Sequence, residues 1–326
     1  MSPTVSIGLV TWNSADVLER CLEAIRAQTH VPLELLVVDN GSQDATRDIL
    51  ARSQGLTQRI LLDRNTGYSA AHNLAIRRAR GEYYLSLNPD VFMSASFVAT
   101  LVAAISANPR YGAATGKLLR ADDPRLIDSA GIYLVASQRH LDRGAGELDT
   151  DRFNRGELVF GASGAAALYR REMLDDLTVD GEVFDEDFFA YREDADLAWR
   201  AQLYGWRCVY VPAATALHVR RVTPERRGAL PPELNRMSVR NRFLLRVKNQ
   251  PVAQFLRFLA PAMLRDLQVV GYVLVREHRS LPAFVDLARL LPRALKKRRT
   301  IMARRRASLR ELNSWFSHHA KPLDPS

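Results

Sequence analysis

An α/β fold built on a mostly parallel sheet is what this sequence predicts, and three observations predict it. Short apolar runs rich in branched side chains recur early in the chain. Amphipathic segments separate them, and polar side chains follow each run. Strands alternating with helices in this way imply βαβ crossovers with helices on both faces.

Residues 5–11 (VSIGLVT) are the first strand, and Val17, Leu18, Cys21, Leu22 and Ile25 fall at helical spacing after it. LELLVVD at 33–39 is the second strand, followed by the turn NGS and a helix over 44–52. A third strand is predicted at 59–63, a glycine-bearing loop and a helix at 69–80 come next, and EYYLSL at 82–87 is the fourth strand. In such sheets ligands gather beyond the carboxyl ends of the strands. Thr11 and Asn13, Asp39 and Asn40, Arg64 and Asn65, and Asn88 and Asp90 should therefore converge, although turns and helix caps also favour such residues.

From residue 111 to about 159 the pattern weakens into short strands at 113–119 and 131–135 with an irregular stretch at 139–151. FGASGAAALY at 160–169 reads as a small-residue strand suited to close approach. A segment at 184–191, a helix at 193–204 and a strand at 207–211 follow, with His218 in the next loop. The expected domains are thus an α/β body, residues 1–230, and a helical extension, 231–326, with helices at 233–249, 252–276 and 282–312.

Charge divides the chain at the same place. Residues 1–219 carry 22 Lys/Arg against 29 Asp/Glu, and residues 220–326 carry 24 against 7. An acidic body with a basic tail, including the runs KKRR and RRR, points to a polyanionic partner for the tail, and residues 280–326 are expected to be removable without unfolding the body. The basic runs lack interleaved aromatics, so nucleic acid is not expected. Cys21 and Cys208 are too few for a disulfide framework and read as reduced thiols. No signal peptide is evident, and the apolar stretch at 255–275 is interrupted by Arg257, Pro261, Arg265 and Asp266, which argues against a membrane span.

Phosphate-loop, dinucleotide, nucleophile-elbow and zinc-helix motifs are missing. Two acidic groups remain. Asp90, after a strand and a proline, suits a hard divalent cation, or equally a helix cap. EDADLAWR at 193–200 opens a helix, where Glu193, Asp194 and Asp196 face the positive end of its dipole. Asp194 is the stronger candidate base, because Phe188, Phe189, Tyr191, Trp199 and the adjacent acids would raise its pKa.

Taken together, VSIGLVTWN, LLVVDNGSQDAT, RNTGYSAAHN, YYLSLNPDV, FDEDFFAYREDADLAWRAQLYGW and His218 resemble the family 2 glycosyltransferases over residues 4–218. The resemblance implies a GT-A fold, a Rossmann-like nucleotide-sugar domain with a mixed sheet. It places Thr11, Asn13, Asp39, Asn65, Gly67 and Asn88 against the nucleotide sugar, Mg²⁺ or Mn²⁺ on Asp90 with His218 completing the shell, and Asp194 as base. Ser163, Tyr191, Glu193, Asp196 and Trp206 are assigned around the acceptor or in support behind the reacting residues. Asn88 stands where the family often has an acid, and Asn-Pro-Asp looks like bacterial rhamnosyltransferases. That form implies a dTDP-rhamnose donor; a direct in-line displacement would invert the anomeric carbon, and in this family a basic helical tail fits an acceptor that is polyprenyl-diphosphate-linked or a polysaccharide in cell-envelope synthesis. The enzyme would sit in the cytoplasm, peripheral on the inner face of an anionic membrane. The alternatives are a UDP-sugar donor (galactofuranose, N-acetylglucosamine or glucose), a sugar-1-phosphate nucleotidyltransferase, or an inactive membrane-associated scaffold.

Overall fold

The computed structural model describes residues 3–220 and 232–324. The first four apolar runs are β1 (Val5–Thr11), β2 (Leu33–Asp39), β3 (Gln58–Leu61) and β4 (Tyr83–Leu87), parallel to one another in the order β4-β1-β2-β3. Between them lie α1 (Ala15–Arg26), α2 (Thr46–Arg52) and α3 (Tyr68–Arg78). The five apolar positions of α1 read from the sequence are its buried face.

The second half makes the sheet mixed. It contains β5 (Val91–Met93), α4 (Phe97–Ser106), β6 (Tyr111–Arg120), β7 (Ile127–Ser129), β8 (Ile132–Val135), β9 (Arg139–Asp142), β10 (Glu157–Val159), β11 (Ala166–Arg170), α5 (Arg171–Leu177), α6 (Glu193–Leu203) and β12 (Arg207–His218). The sheet order is β10-β12-β6-β11-β4-β1-β2-β3, with β5 beside β12 and β7 beside β6. Only β11 is reversed between β4 and β6, and β12 runs parallel to β6. The carboxyl ends of β1, β2, β4, β6 and β12 therefore share one edge.

Three expectations are corrected. Within 160–169 only Ala166–Tyr169 joins β11; the preceding residues turn, because Gly161 and Gly164 press on α6 where a Cβ would meet Ala198 or Asp194. The last strand does not stop at Val211. Pro212 cannot donate to a ladder, but a register shift carries the chain past it and pairing resumes at Thr215, making His218 a strand residue. The stretch at 139–151 is partly ordered as β9, hairpinned on β8. α4 was not anticipated, although Phe97, Val98, Leu101, Val102 and Ile105 are an amphipathic pattern.

The tail forms α7 (Pro232–Asn249), α8 (Val252–Arg257), α9 (Leu259–Val275), α10 (Pro282–Ala303) and α11 (Leu309–Ser314). It is not a removable appendage. Leu244, Leu245, Ala294, Ile301 and Trp315 belong to the same hydrophobic core as the sheet. Trp315 packs edge-on to Phe160 and donates to Gln202 Oε1 at 2.9 Å.

Nor does all of its charge face outward. Lys248 pairs with Asp185 at 2.5 Å and Asp196 at 2.6 Å. Lys297 pairs with Asp185 at 2.6 Å and Glu182 at 2.8 Å, Lys296 with Asp180, and Arg304 and Arg306 with Asp176. Much of the acidic-body, basic-tail asymmetry is thus satisfied within the molecule.

Candidate active site

The shared edge gathers the candidates in two groups. On the first, Asp39 ends β2 fully buried and accepts from Thr11 Oγ1 at 3.1 Å, from both donors of Ser42, and from Arg47 Nε at 2.8 Å. Thr11 is buried with it. Asn13, at φ 47°, accepts from Gln43 N–H at 2.8 Å through its side chain. These residues shape the pocket rim by holding the two strand-end loops together. Trp12, which sequence reasoning passed over, stands 54% exposed between them. An aromatic just past the first strand was its only signal.

Asn65 belongs to the next loop. It accepts from Asn40 Nδ2 at 3.0 Å and from Gly67 N–H at 2.8 Å. Gly67 needs to be glycine for two reasons: its φ is +89°, and a Cβ there would lie 2.7 Å from both the ring and the carbonyl oxygen of Phe189.

The second group surrounds Asp90. Asn88 N–H donates to Ala165 O at 2.9 Å, tying the end of β4 to the turn before β11. Val91 pairs with His218, which brings the two ends together. His218 Nδ1 lies 2.7 Å from Asp128 Oδ2, so its Nε2 is aimed at Asp90 Oδ1, 3.5 Å away. Arg220 bridges Asp128 to Asp142 at 3.0 and 2.6 Å. Burial alone would lower the imidazole pKa, but hydrogen bonds and charge from Asp128 and Asp90 outweigh it and push it up to about 9. Asp128 lies 90 residues away in sequence and carries no motif, so sequence reasoning missed it.

This pair fits a divalent cation. Asp90 Oδ1 is buried and faces His218 Nε2, at 3.5 Å, and a carboxylate, Asp128, steers that histidine. Among the described residues no three metal-ligating side chains cluster. Asp90 and His218 are the residues that would hold a divalent cation, which would supply charge neutralisation to a donor diphosphate.

Asp194 sits in the first turn of α6, half-buried. Oδ2 accepts from Gly164 N–H at 3.1 Å and Oδ1 from Ala195 N–H at 2.7 Å. Burial raises its pKa to about 6, against the lowering effect of the Gly164 N–H. Tyr68 OH donates to Gly164 O at 2.8 Å, linking this turn to the Gly67 loop. Glu193 beside it is buried, and burial followed by the Asp194 charge holds its carboxyl well above the usual range.

The approach to Asp194 is strained. Phe189, Tyr191 and Arg192 all have positive φ, at 63°, 67° and 76°. Asn241 of α7 holds them, its Nδ2 donating to the carbonyls of Phe188, Ala190 and Tyr191, each at 2.9 Å. A lone asparagine in a basic helix gave no sequence signal.

A family model for "Glycosyl transferase family 2" matches residues 6–178. The N-acetylglucosaminyl-diphospho-decaprenol L-rhamnosyltransferase of Mycobacterium tuberculosis is 30% identical over 242 residues, covering 67% of this chain and 76% of that one. The chain belongs to the family 2 glycosyltransferases.

Solved structures agree on the GT-A fold of this glycosyltransferase. A Pyrobaculum calidifontis mannosyltransferase in complex with GDP-Man and Mn²⁺ is 20% identical, with TM-score 0.52, covering 97% of this chain and 84% of that one. S. aureus TarS in complex with UDP-GlcNAc is 16% identical, with TM-score 0.57, covering 96% and 90%.

Two assigned residues lie elsewhere in the transferase. Trp206 precedes β12 at the opposite edge of the sheet and donates Nε1–H to Asp176 at 2.8 Å. Asp196 points away into a fully buried network with Arg200, Lys248 and Asn249. Ser163 and Tyr191, by contrast, flank the Gly164 turn and the strained approach to Asp194.

Proposed function

We propose that this glycosyltransferase moves L-rhamnose from dTDP-rhamnose, with inversion, onto a polyprenyl-diphosphate-linked or polysaccharide acceptor in cell-envelope synthesis. The observation that carries the donor and acceptor is the 30% identity over 242 residues to a rhamnosyltransferase named for a diphospho-decaprenol acceptor. The observation that carries the chemistry is Asp194, a half-buried carboxylate with a raised pKa at the ligand edge of the sheet.

In this reading Thr11, Asn13 and Asp39 frame the nucleotide, and Asn65, Gly67 and Asn88 shape the adjoining wall. Asp194 takes the proton of the acceptor hydroxyl as that oxygen attacks the anomeric carbon, while the dTDP oxygen leaves from the opposite face. Mg²⁺ or Mn²⁺ bound by Asp90 and His218 supplies charge neutralisation on the departing diphosphate. Ser163, Tyr191 and Glu193 line the acceptor side. The residues 1–230 bind the donor, and residues 231–326 serve the acceptor and the inner face of the cytoplasmic membrane.

Thermal shift with a panel of nucleotide sugars, with and without Mn²⁺, tests the reading. Metal-dependent stabilisation by dTDP-rhamnose is expected. Stabilisation by a UDP-sugar alone would replace the donor, and no response to any nucleotide would favour the inactive scaffold.

A further inference from the structure

We propose that the exposed face of α8 and α9 is where the protein lies on an anionic bilayer, with these helices in the plane of the interface. The inference extends the membrane location of the proposed function and replaces the basic runs of the tail as its physical basis, since many of those cations are paired internally.

The first support is an apolar stripe that none of the described residues covers. Met263, Leu264, Leu267 and Leu274 of α9 recur at helical spacing and are all exposed, Leu264 at 62% and Leu267 at 66%. Val252 and Leu256 on the adjoining α8 are exposed as well. The opposite side of α9 is seated: Ala262 and Val273 are buried, and Asp266 pairs with Arg242 and Arg246 of α7. An exposed apolar patch of this extent marks a surface that meets something other than water.

Charge selects the partner. Each of the five acidic residues between 250 and 324 is engaged: Asp266 with α7, Glu277 by Ser280, Asp286 by Arg236, Glu311 by Arg207 and Asp324 by Arg110. Arg257, Arg276 and Arg279 are exposed beside the stripe and make no ion pair among the described residues. At the start of α8 a cleft of about 460 Å³, lined by Val252, Ala253, Met302 and Leu309, carries Arg299 and Arg305 on its wall.

An apolar face whose rim carries, among the described residues, three arginines without ion pairs against one carboxylate without a cation, Glu277, matches an anionic lipid surface. A second copy of this chain fits less well, because a two-fold contact would bring six arginines of the two copies together against only the two Glu277 carboxylates. Crossing the bilayer is excluded by length: among the described residues no helix is long and apolar enough to span. Lying in the interface is the arrangement that remains.

The test is co-sedimentation of the full chain with phosphatidylcholine vesicles, with and without phosphatidylglycerol, in the absence of substrate. Wild type should bind the anionic vesicles. Leu264→Ser/Leu267→Ser should weaken binding at least about tenfold, and Arg276→Gln/Arg279→Gln about thirtyfold on anionic vesicles only. Melting temperature and donor-induced thermal shift should be unchanged in both, because the altered side chains are exposed. Wild-type failure to bind, or serine variants that sediment like wild type, would overturn the proposal. So would a change from dimer to monomer in the serine variant by light scattering, which would make the face a self-association surface. A wild type that binds vesicles as described but no nucleotide sugar would instead sink the transfer reading alone.

Discussion

Replacing Asp194 with asparagine should separate stability from activity in a pH-dependent way. A carboxyl that titrates at 3.8 in the unfolded chain and at about 6 in the fold is destabilising once ionised. The unfolded chain releases this proton first, so stability is present at low pH, falls as pH rises from about 4 to about 6, and is flat above. The span is about 3 kcal/mol at most, reduced toward about 1–2 kcal/mol by solvent reaching the half-buried group. The amide variant has no such proton to release and keeps its stability across this range. It does lose one acceptor, since Oδ1 and Oδ2 both take backbone N–H groups and an amide offers one oxygen. That loss, about 1 kcal/mol, is the same at every pH. Urea unfolding of both proteins at pH 4.5 and 7.5 isolates the linkage: Asp194→Asn should gain about 1 kcal/mol, and at most about 2 kcal/mol, relative to wild type between the two, because the unfolded carboxyl is already largely ionised at pH 4.5. Transfer should fall by about a hundredfold or more in the variant. In wild type it should drop about tenfold per unit of pH below 6. A stability difference that does not vary with pH, or a variant that keeps its turnover, would refute the base assignment.

Three other perturbations follow from the same geometry. Asp90→Ala and His218→Ala should each weaken Mn²⁺-dependent donor binding, read by calorimetry against an EDTA control, and unchanged affinity would remove them from the metal site. Lys248→Met removes one of two cations from each of the buried carboxylates Asp185 and Asp196, leaving Lys297 and Arg200 to hold them, and should cost about 3 kcal/mol in urea unfolding; an unaltered midpoint would mean that the tail does not clamp the body. Gly67→Ala places a methyl group against Phe189 in left-handed backbone, expected to cost about 2–4 kcal/mol and to raise the donor KM. A variant with wild-type melting and KM would show that the loop yields freely.

The first four strands were legible because each is a short apolar run punctuated by a polar turn, and three of them are buried on both faces, a pattern no helix imitates at that length. Asp194 was legible for a similar local reason, an acid at the start of an aromatic-flanked helix. What escaped was non-local. His218 is the end of a strand because a bulge carries the chain past Pro212, and composition gives no hint of a bulge. Asp128 and Asn241 act on residues 90 and about 50 positions away. Net charge recorded how many cations the tail has but not where they point, so Lys248 and Lys297, both buried ion-pair partners, read as solvent-facing. Asp196 was misplaced for the complementary reason: within one helical turn, two acids two positions apart face opposite sides.

The clamp by Asn241 sets an order of events during synthesis. On a translating ribosome the sheet is complete when residue 218 emerges, yet the carbonyls ahead of Asp194 still lack the amide that fixes their backbone. Lys297, which neutralises Asp185, emerges later, and Trp315 closes the core nearly last. Fixing the backbone around Asp194 is therefore a terminal step of biogenesis rather than a property of the nascent α/β body. A message cut short in its last third would yield a chain lacking both part of the core that the sheet shares and the amide that fixes the backbone ahead of Asp194.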